Sequence, residues 1–97
     1  SVAGTIGGCT PAFIAMMIEA LADAAVKYGI PRATAYKMVS QAVAGTGRLQ
    51  LATGTHPGAM KDAVCSPGGT TIRGVAELER AGMRSAFIRA IDAIEDK

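Results

Sequence analysis

The chain is short of the residues that usually fill a core. It has no tryptophan, two phenylalanines and two tyrosines, only 4% aromatic, although 49% of its 97 residues are hydrophobic. The apolar bulk is instead alanine, valine, isoleucine, leucine and five methionines. Small side chains let helices approach closely, but each removes little surface from water. A single domain of this length is already near the lower limit for a self-sufficient core. The composition therefore calls for extra burial against a second subunit or an attached domain.

Other shortages exclude functions. Ten Lys and Arg against eight Asp and Glu leave a net charge of +2, and the basic residues form no run and have few aromatics among them. That argues against nucleic acid as a partner. The two cysteines, Cys9 and Cys65, have neither a Cys-x-x-Cys spacing nor a second pair. Neither a metal site nor a disulfide scaffold is indicated, and a reducing, cytoplasmic compartment fits. The longest apolar run, Pro11 to Ile18, ends at Glu19, short of the roughly 20 residues a membrane span needs. No charged segment leads an apolar one, so no signal peptide is expected. The first residues, Ser1-Val2-Ala3-Gly4, lack an initiating Met, which is consistent with a fragment.

What the chain does have is helical periodicity and no sustained period-two alternation. The expected fold is all-α, with about five helices. Ser1 to Cys9, with Gly4, Gly7 and Gly8, reads as a linker or entry turn. Thr10-Pro11 then offers an N-cap and a first helical position. From Phe13 to Val26 the polar residues are Glu19 and Asp23, which share a stripe with Lys27, so an Asp23–Lys27 pair is expected. A helix so apolar on its other faces must be surrounded, which the centre of a dimer provides. Gly29 supplies the stop and Pro31 opens a second helix, to about Ala52. A break at Thr53 to Pro57 precedes a short helix, Gly58 to Val64. A fourth runs from Thr71 to about Arg80, with Arg73 and Glu77 spaced to pair. After Gly82, a fifth places Met83, Phe87, Ala90, Ile91 and Ile94 on one face.

The organising stretch is Ser66 to Gly74. Pro67-Gly68-Gly69 reads as a tight, backbone-exposing turn. Thr70 or Thr71 stands where the N-cap of the following helix belongs. Free N–H groups and the positive end of a helix dipole favour an anion there, and neighbouring hydroxyls suit a carboxylate. The plainer reading, a capped inter-helix turn that binds nothing, is the one the local sequence favours. Acid–base candidates are few. Glu19/Asp23 fit a salt-bridged stripe, Glu77/Glu79 face different ways, and His56, before a proline, suits a structural role at a helix start. Cys65 beside the loop is either a reactive thiol or, more often for such a cysteine, simply a small buried residue.

Taken with its flanks, the run from His56-Pro57-Gly58 through Lys61-Asp62 and Ser66-Pro67-Gly68-Gly69-Thr70-Thr71 resembles the pyrroline-5-carboxylate reductase family. Thr10-Pro11-Ala12-Phe13, Glu19 to Val26, Gly29-Ile30-Pro31-Arg32 and Leu78 to Arg84 agree with it in order. The resemblance implies the C-terminal helical domain of that enzyme, an interlocked homodimer of the 6-phosphogluconate dehydrogenase C-terminal type, and opens the way to higher oligomers. It implies reduction of 1-pyrroline-5-carboxylate to L-proline with hydride from NADPH or NADH. The chain has no Gly-x-Gly-x-x-Gly turn after a strand, so the N-terminal Rossmann domain is expected to be absent and the isolated chain inactive. By position, Ser66, Gly68, Gly69 and Thr70 are expected to hold the substrate carboxylate. Thr71 is expected to approach the imine as the catalytic residue, with Ala63 and Val64 near the nicotinamide. Family members commonly carry a polar residue at position 63, Ser or Thr at 65, and an acidic residue at 54 or 55, where this chain has Ala63, Cys65, Gly54 and Thr55. Two alternatives remain open: a purely structural dimer module, and a divergent reductase of another cyclic imine acid.

Overall fold

A computed structural model describes residues 1–96. Its elements are α1 (Val2–Lys27), α2 (Arg32–Thr53), α3 (Pro57–Ala63), α4 (Thr70–Arg80) and α5 (Met83–Glu95). Among the described residues there is no strand. The all-α expectation holds, and the boundaries of α2 to α5 fall within one residue of those read from sequence. The chain forms two compact units: Ile6–Gly54, and Ser1–Thr5 with the segment from Thr55 onward.

α1 corrects the sequence reading. It begins at Val2 rather than Thr10, so Gly4, Gly7, Gly8 and Pro11 are all helical. Pro11 lacks an N–H, which leaves the Gly7 carbonyl without its helical donor but breaks no other bond of the ladder. Propensity is a weak prior, and three specific contacts offset it at this end. Ser1 Oγ accepts from the Gly4 N–H at 3.1 Å and the Ser1 carbonyl accepts from the Thr5 N–H at 3.0 Å, the two bonds of an N-cap. Thr5 Oγ1 donates to the Glu95 carboxylate near the end of α5. The continuous 26-residue α1 is long and apolar enough to cross a membrane by length and composition alone. Counting unbroken apolar residues misses this, because the glycines and threonines interrupt the run without making the helix polar.

In the Ile6–Gly54 unit, α1 turns into α2 through a Schellman motif. The Ile30 N–H reaches the Ala25 carbonyl at 3.0 Å and the Gly29 N–H reaches Val26 at 2.9 Å. Gly29, at φ 100°, takes the left-handed position that this turn requires. The fold-back sets Arg32, the first residue of α2, against Asp23: Nη1 to Oδ1 is 2.8 Å. Asp23 therefore pairs with Arg32 and not with Lys27, whose ammonium lies 5.9 Å from the centre of the Tyr28 ring. Among the described residues, the fully buried side chains are Ala22 and Ala35, one from each helix near this turn. Beyond them the hairpin holds an open apolar cleft of about 620 Å³, lined by Ile14, Met17, Leu21, Met38 and Val39 among others.

In the other unit, α4 packs on α5. Gly82 ends the first and caps the second at φ 80°. Arg80 forks onto Glu77, with Nε to Oε2 at 2.9 Å, and Arg84 Nε meets Glu79 Oε1 at 2.8 Å. The Arg73–Glu77 pair expected from spacing is thus replaced by a closer partner three residues on. On α5, Ala90, Ile91 and Ile94 are half-buried while Met83 and Phe87 are more exposed.

Candidate carboxylate-binding loop

The loop is built from His56 outward. His56 is the N-cap of α3, and its Nδ1 accepts the Gly58 N–H at 2.9 Å. The structural role expected of this histidine is the one it plays. Pro57 follows at the first helical position, where its missing N–H costs nothing. α3 ends in a tightened turn, with the Val64 N–H on Lys61 at 3.2 Å and the Cys65 N–H on Asp62 at 3.1 Å. Ala63 and Val64 stand exposed at this end, and Cys65 is a free, half-buried thiol.

Ser66 to Gly69 then closes a four-residue turn, the Gly69 N–H donating to the Ser66 carbonyl at 3.0 Å. Proline at its second position and Gly68 at φ 71° are the marks of a type II turn. Gly69, extended at φ −78° and ψ 179°, is the N-cap of α4. The expectation of a Thr70 or Thr71 cap is corrected, since both lie inside the helix. The reason is steric: a β-carbon on Gly69 would sit 2.5 Å from Ser66 Oγ and 3.2 Å from the Ser66 carbonyl. Glycine lets the serine hydroxyl fold over the helix end.

No side chain caps α4. Its first turn has N–H groups without helical acceptors and carries the positive end of the dipole. Ser66, Gly68, Gly69, Thr70 and Thr71 are contiguous around that end, and the three hydroxyl residues are exposed. Chemically this is a ready acceptor of one small anion. Ala63 and Val64 precede it in the chain, at the end of α3. The carboxylates lie elsewhere. Glu77 and Glu79 are taken by Arg80 and Arg84, and the Arg80 hydrogen bonds hold the Glu77 carboxyl below its ordinary 4.5. Asp23 is tied to Arg32. Sequence reasoning missed Gly58 as the donor that His56 caps and Arg32 as the partner of Asp23, besides Arg80 on Glu77 and Arg84 on Glu79. A donor two residues after a histidine that precedes proline is a signal for the first. The second has none without the turn geometry.

Compared with known proteins, residues 1–97 match the pyrroline-5-carboxylate reductase dimerisation family throughout. The chain belongs to that family. Among similar proteins, the pyrroline-5-carboxylate reductase of Escherichia coli (strain K12) is 54% identical over 92 residues, covering 95% of this chain and 34% of its own length. That of Treponema pallidum is 52% identical over 93 residues, 96% of this chain and 35% of its own. Of solved structures, the Streptococcus pyogenes 1-pyrroline-5-carboxylate reductase superposes with a TM-score of 0.95 at 43% identity, over 98% of this chain and 37% of that one. The Plasmodium falciparum pyrroline carboxylate reductase, solved with NADP bound, gives 0.90 at 33% identity, over 95% and 37%. This dimerisation-family chain therefore spans about a third of the length of the relatives it matches.

Proposed function

We propose that this chain is the dimerising and carboxylate-holding part of a reductase that converts 1-pyrroline-5-carboxylate to L-proline with NADPH or NADH. The observation that carries the reading is the uncapped N-terminus of α4 under the Ser66 hydroxyl, in a chain about half identical along nearly all its length to named reductases of this substrate. In this reading the Ser66 hydroxyl and the Gly68–Thr70 backbone receive the substrate carboxylate. That contact fixes the ring so that Thr71, one residue into α4, donates a hydrogen bond toward the imine nitrogen. Positioning of this kind needs no acid–base pair.

The nicotinamide supplies the hydride when bound. Ala63 and Val64, exposed and apolar, suit the flat face of such a ring. No segment here has the glycine turn that holds a dinucleotide. We assign that task to an N-terminal Rossmann domain in the part of the protein that this chain does not span. Assembly as a homodimer has its own support. Large apolar side chains such as Leu21, Met38 and Leu49 stay about half exposed. Apolar surface of this kind marks a place where another subunit binds. A cytoplasmic location suits its two free cysteines.

The test is steady-state kinetics of the complete enzyme. Ser66→Ala should raise KM for the imine acid about 10-fold or more, the worth of one hydrogen bond to a charged group. Thr71→Val should lower kcat/KM by a similar factor. An unchanged KM in the first and an unchanged kcat/KM in the second would remove the loop from the substrate site.

A further inference from the structure

The segment from His56 to Gly69 has little to hold it in place. α3 has seven residues and no buried side chain, too short to persist on helical propensity alone. Its backbone bonds run in sequence from the Met60 N–H on His56 at 3.1 Å to the Gly69 N–H on Ser66 at 3.0 Å. Each is local, so the run can shift as a whole if its start is released. The His56 imidazole caps that start, its Nδ1 taking the Gly58 N–H at 2.9 Å. The fit leaves little room. A β-carbon on Gly58 would lie 3.0 Å from Nδ1 and 3.2 Å from Cε1 of the same ring. His56 forms no ion pair among the described residues, and Lys61 and Asp62 on α3 pair with each other at 3.3 Å. The ring's role at this helix start is that of a cap.

We infer that His56 is a positioning residue: by capping α3 it sets the place of the Ser66 turn, and through that turn the binding of the substrate carboxylate. The inference rests on the carboxylate reading proposed above. His56 touches neither substrate nor cofactor in this scheme, so its effect falls on KM before kcat. Asparagine is a strong N-cap and accepts from the same amide, so it substitutes for the imidazole. Alanine does not.

The experiment compares His56→Ala, His56→Asn and Ser66→Ala in the complete enzyme, by kinetics and by amide hydrogen exchange. Expected for His56→Ala is a several-fold rise in KM with kcat nearly unchanged, and several-fold faster exchange at Met60, Cys65 and Gly69 while α5 keeps its protection. His56→Asn should restore both readouts. Alanine and asparagine variants that behave alike, or Cys65 and Gly69 amides that exchange at the unsubstituted rate in His56→Ala, overturn the inference. A rise in KM for Ser66→Ala without one for His56→Ala overturns it too and leaves the carboxylate reading standing. If Ser66→Ala leaves KM unchanged, that reading falls, and the exchange rates alone decide whether His56 holds the turn.

Discussion

Ser66 and Gly69 are bonded through the backbone at 3.0 Å, and the Ser66 hydroxyl occupies the space where a side chain on Gly69 would begin. Each residue thereby fixes what the other can be. Gly69→Ala must move the hydroxyl or open the turn, at a cost of about 1–3 kcal/mol for forced overpacking. In the complete enzyme it should raise KM for the imine acid at least as much as Ser66→Ala does. Gly68→Asn, by contrast, keeps a residue able to adopt positive φ, and its KM should change little. Equal effects from the two substitutions would show that the crowding at Gly69 is unimportant.

Pro11 leaves the Gly7 carbonyl without its helical donor. Pro11→Ala restores that bond in the middle of α1 and should raise stability, by as much as about 3 kcal/mol if the surroundings tolerate the change. Urea unfolding at fixed protein concentration measures it. A fall in the midpoint would mean that the proline ring packs against something worth more than the missing bond.

The Asp23–Arg32 pair has both side chains more than half exposed. Arg32→Ala should therefore cost less than about 1 kcal/mol, with the loss shrinking as salt is added. Ala35→Leu, a few residues further along α2, enlarges a side chain with no accessible surface and should cost about 1–3 kcal/mol regardless of salt. Thermal melts of the two variants at low and high salt give the comparison.

Glu77 carries a pH dependence of known sign. Its folded carboxyl titrates below the ordinary 4.5 because of the Arg80 hydrogen bonds. The stabilisation is complete above the unfolded value and is lost as pH falls through the lower folded one. Because the group is exposed, the effect is small. Glu77→Gln should flatten part of the acid limb of a stability–pH curve and leave the neutral region nearly unchanged. An acid limb identical to that of the unsubstituted protein would show that the pair is not populated in solution.

The cleft of the α1–α2 hairpin gives a direct test of assembly. Leu21→Asp puts a charge among Met17, Met38 and Val39. An unpaired charge does not survive burial in such a lining, so sedimentation of the proposed dimer should show dissociation at concentrations where the parent holds together. An unchanged association constant would place the subunit contact on another surface.

How far the sequence reached can be read from particular residues. Gly29, Pro31, His56-Pro57 and Gly82 each act through backbone restriction, which is local, and they marked α2, α3 and α5 closely. The Ser66–Thr71 turn was legible for the same reason. Its cap was not, because preferring threonine over Gly69 ignores a contact with Ser66 three residues back. The start of α1 failed similarly: Pro11 and three glycines argue for a break, and the Ser1 and Thr5 contacts that offset them include one with Glu95, far along the chain. Of the missed ion partners, Arg32 and Arg84 reach across a turn, whereas Arg80 lies on the same helix as Glu77 and displaces Arg73. Spacing proposes which residues meet on one straight helix, whereas turns and bidentate geometry choose among the neighbours.

Among the described residues, Ala22 and Ala35 are the side chains sealed completely from water. Alanine loses no rotamer freedom on burial, but it also returns very little for ordering the backbone around it. A lone chain therefore has small reason to collapse before it meets another. Its refolding should accordingly be bimolecular, with a rate that climbs as the chains are concentrated, and the encounter of two copies would be the step at which the hairpin acquires its shape.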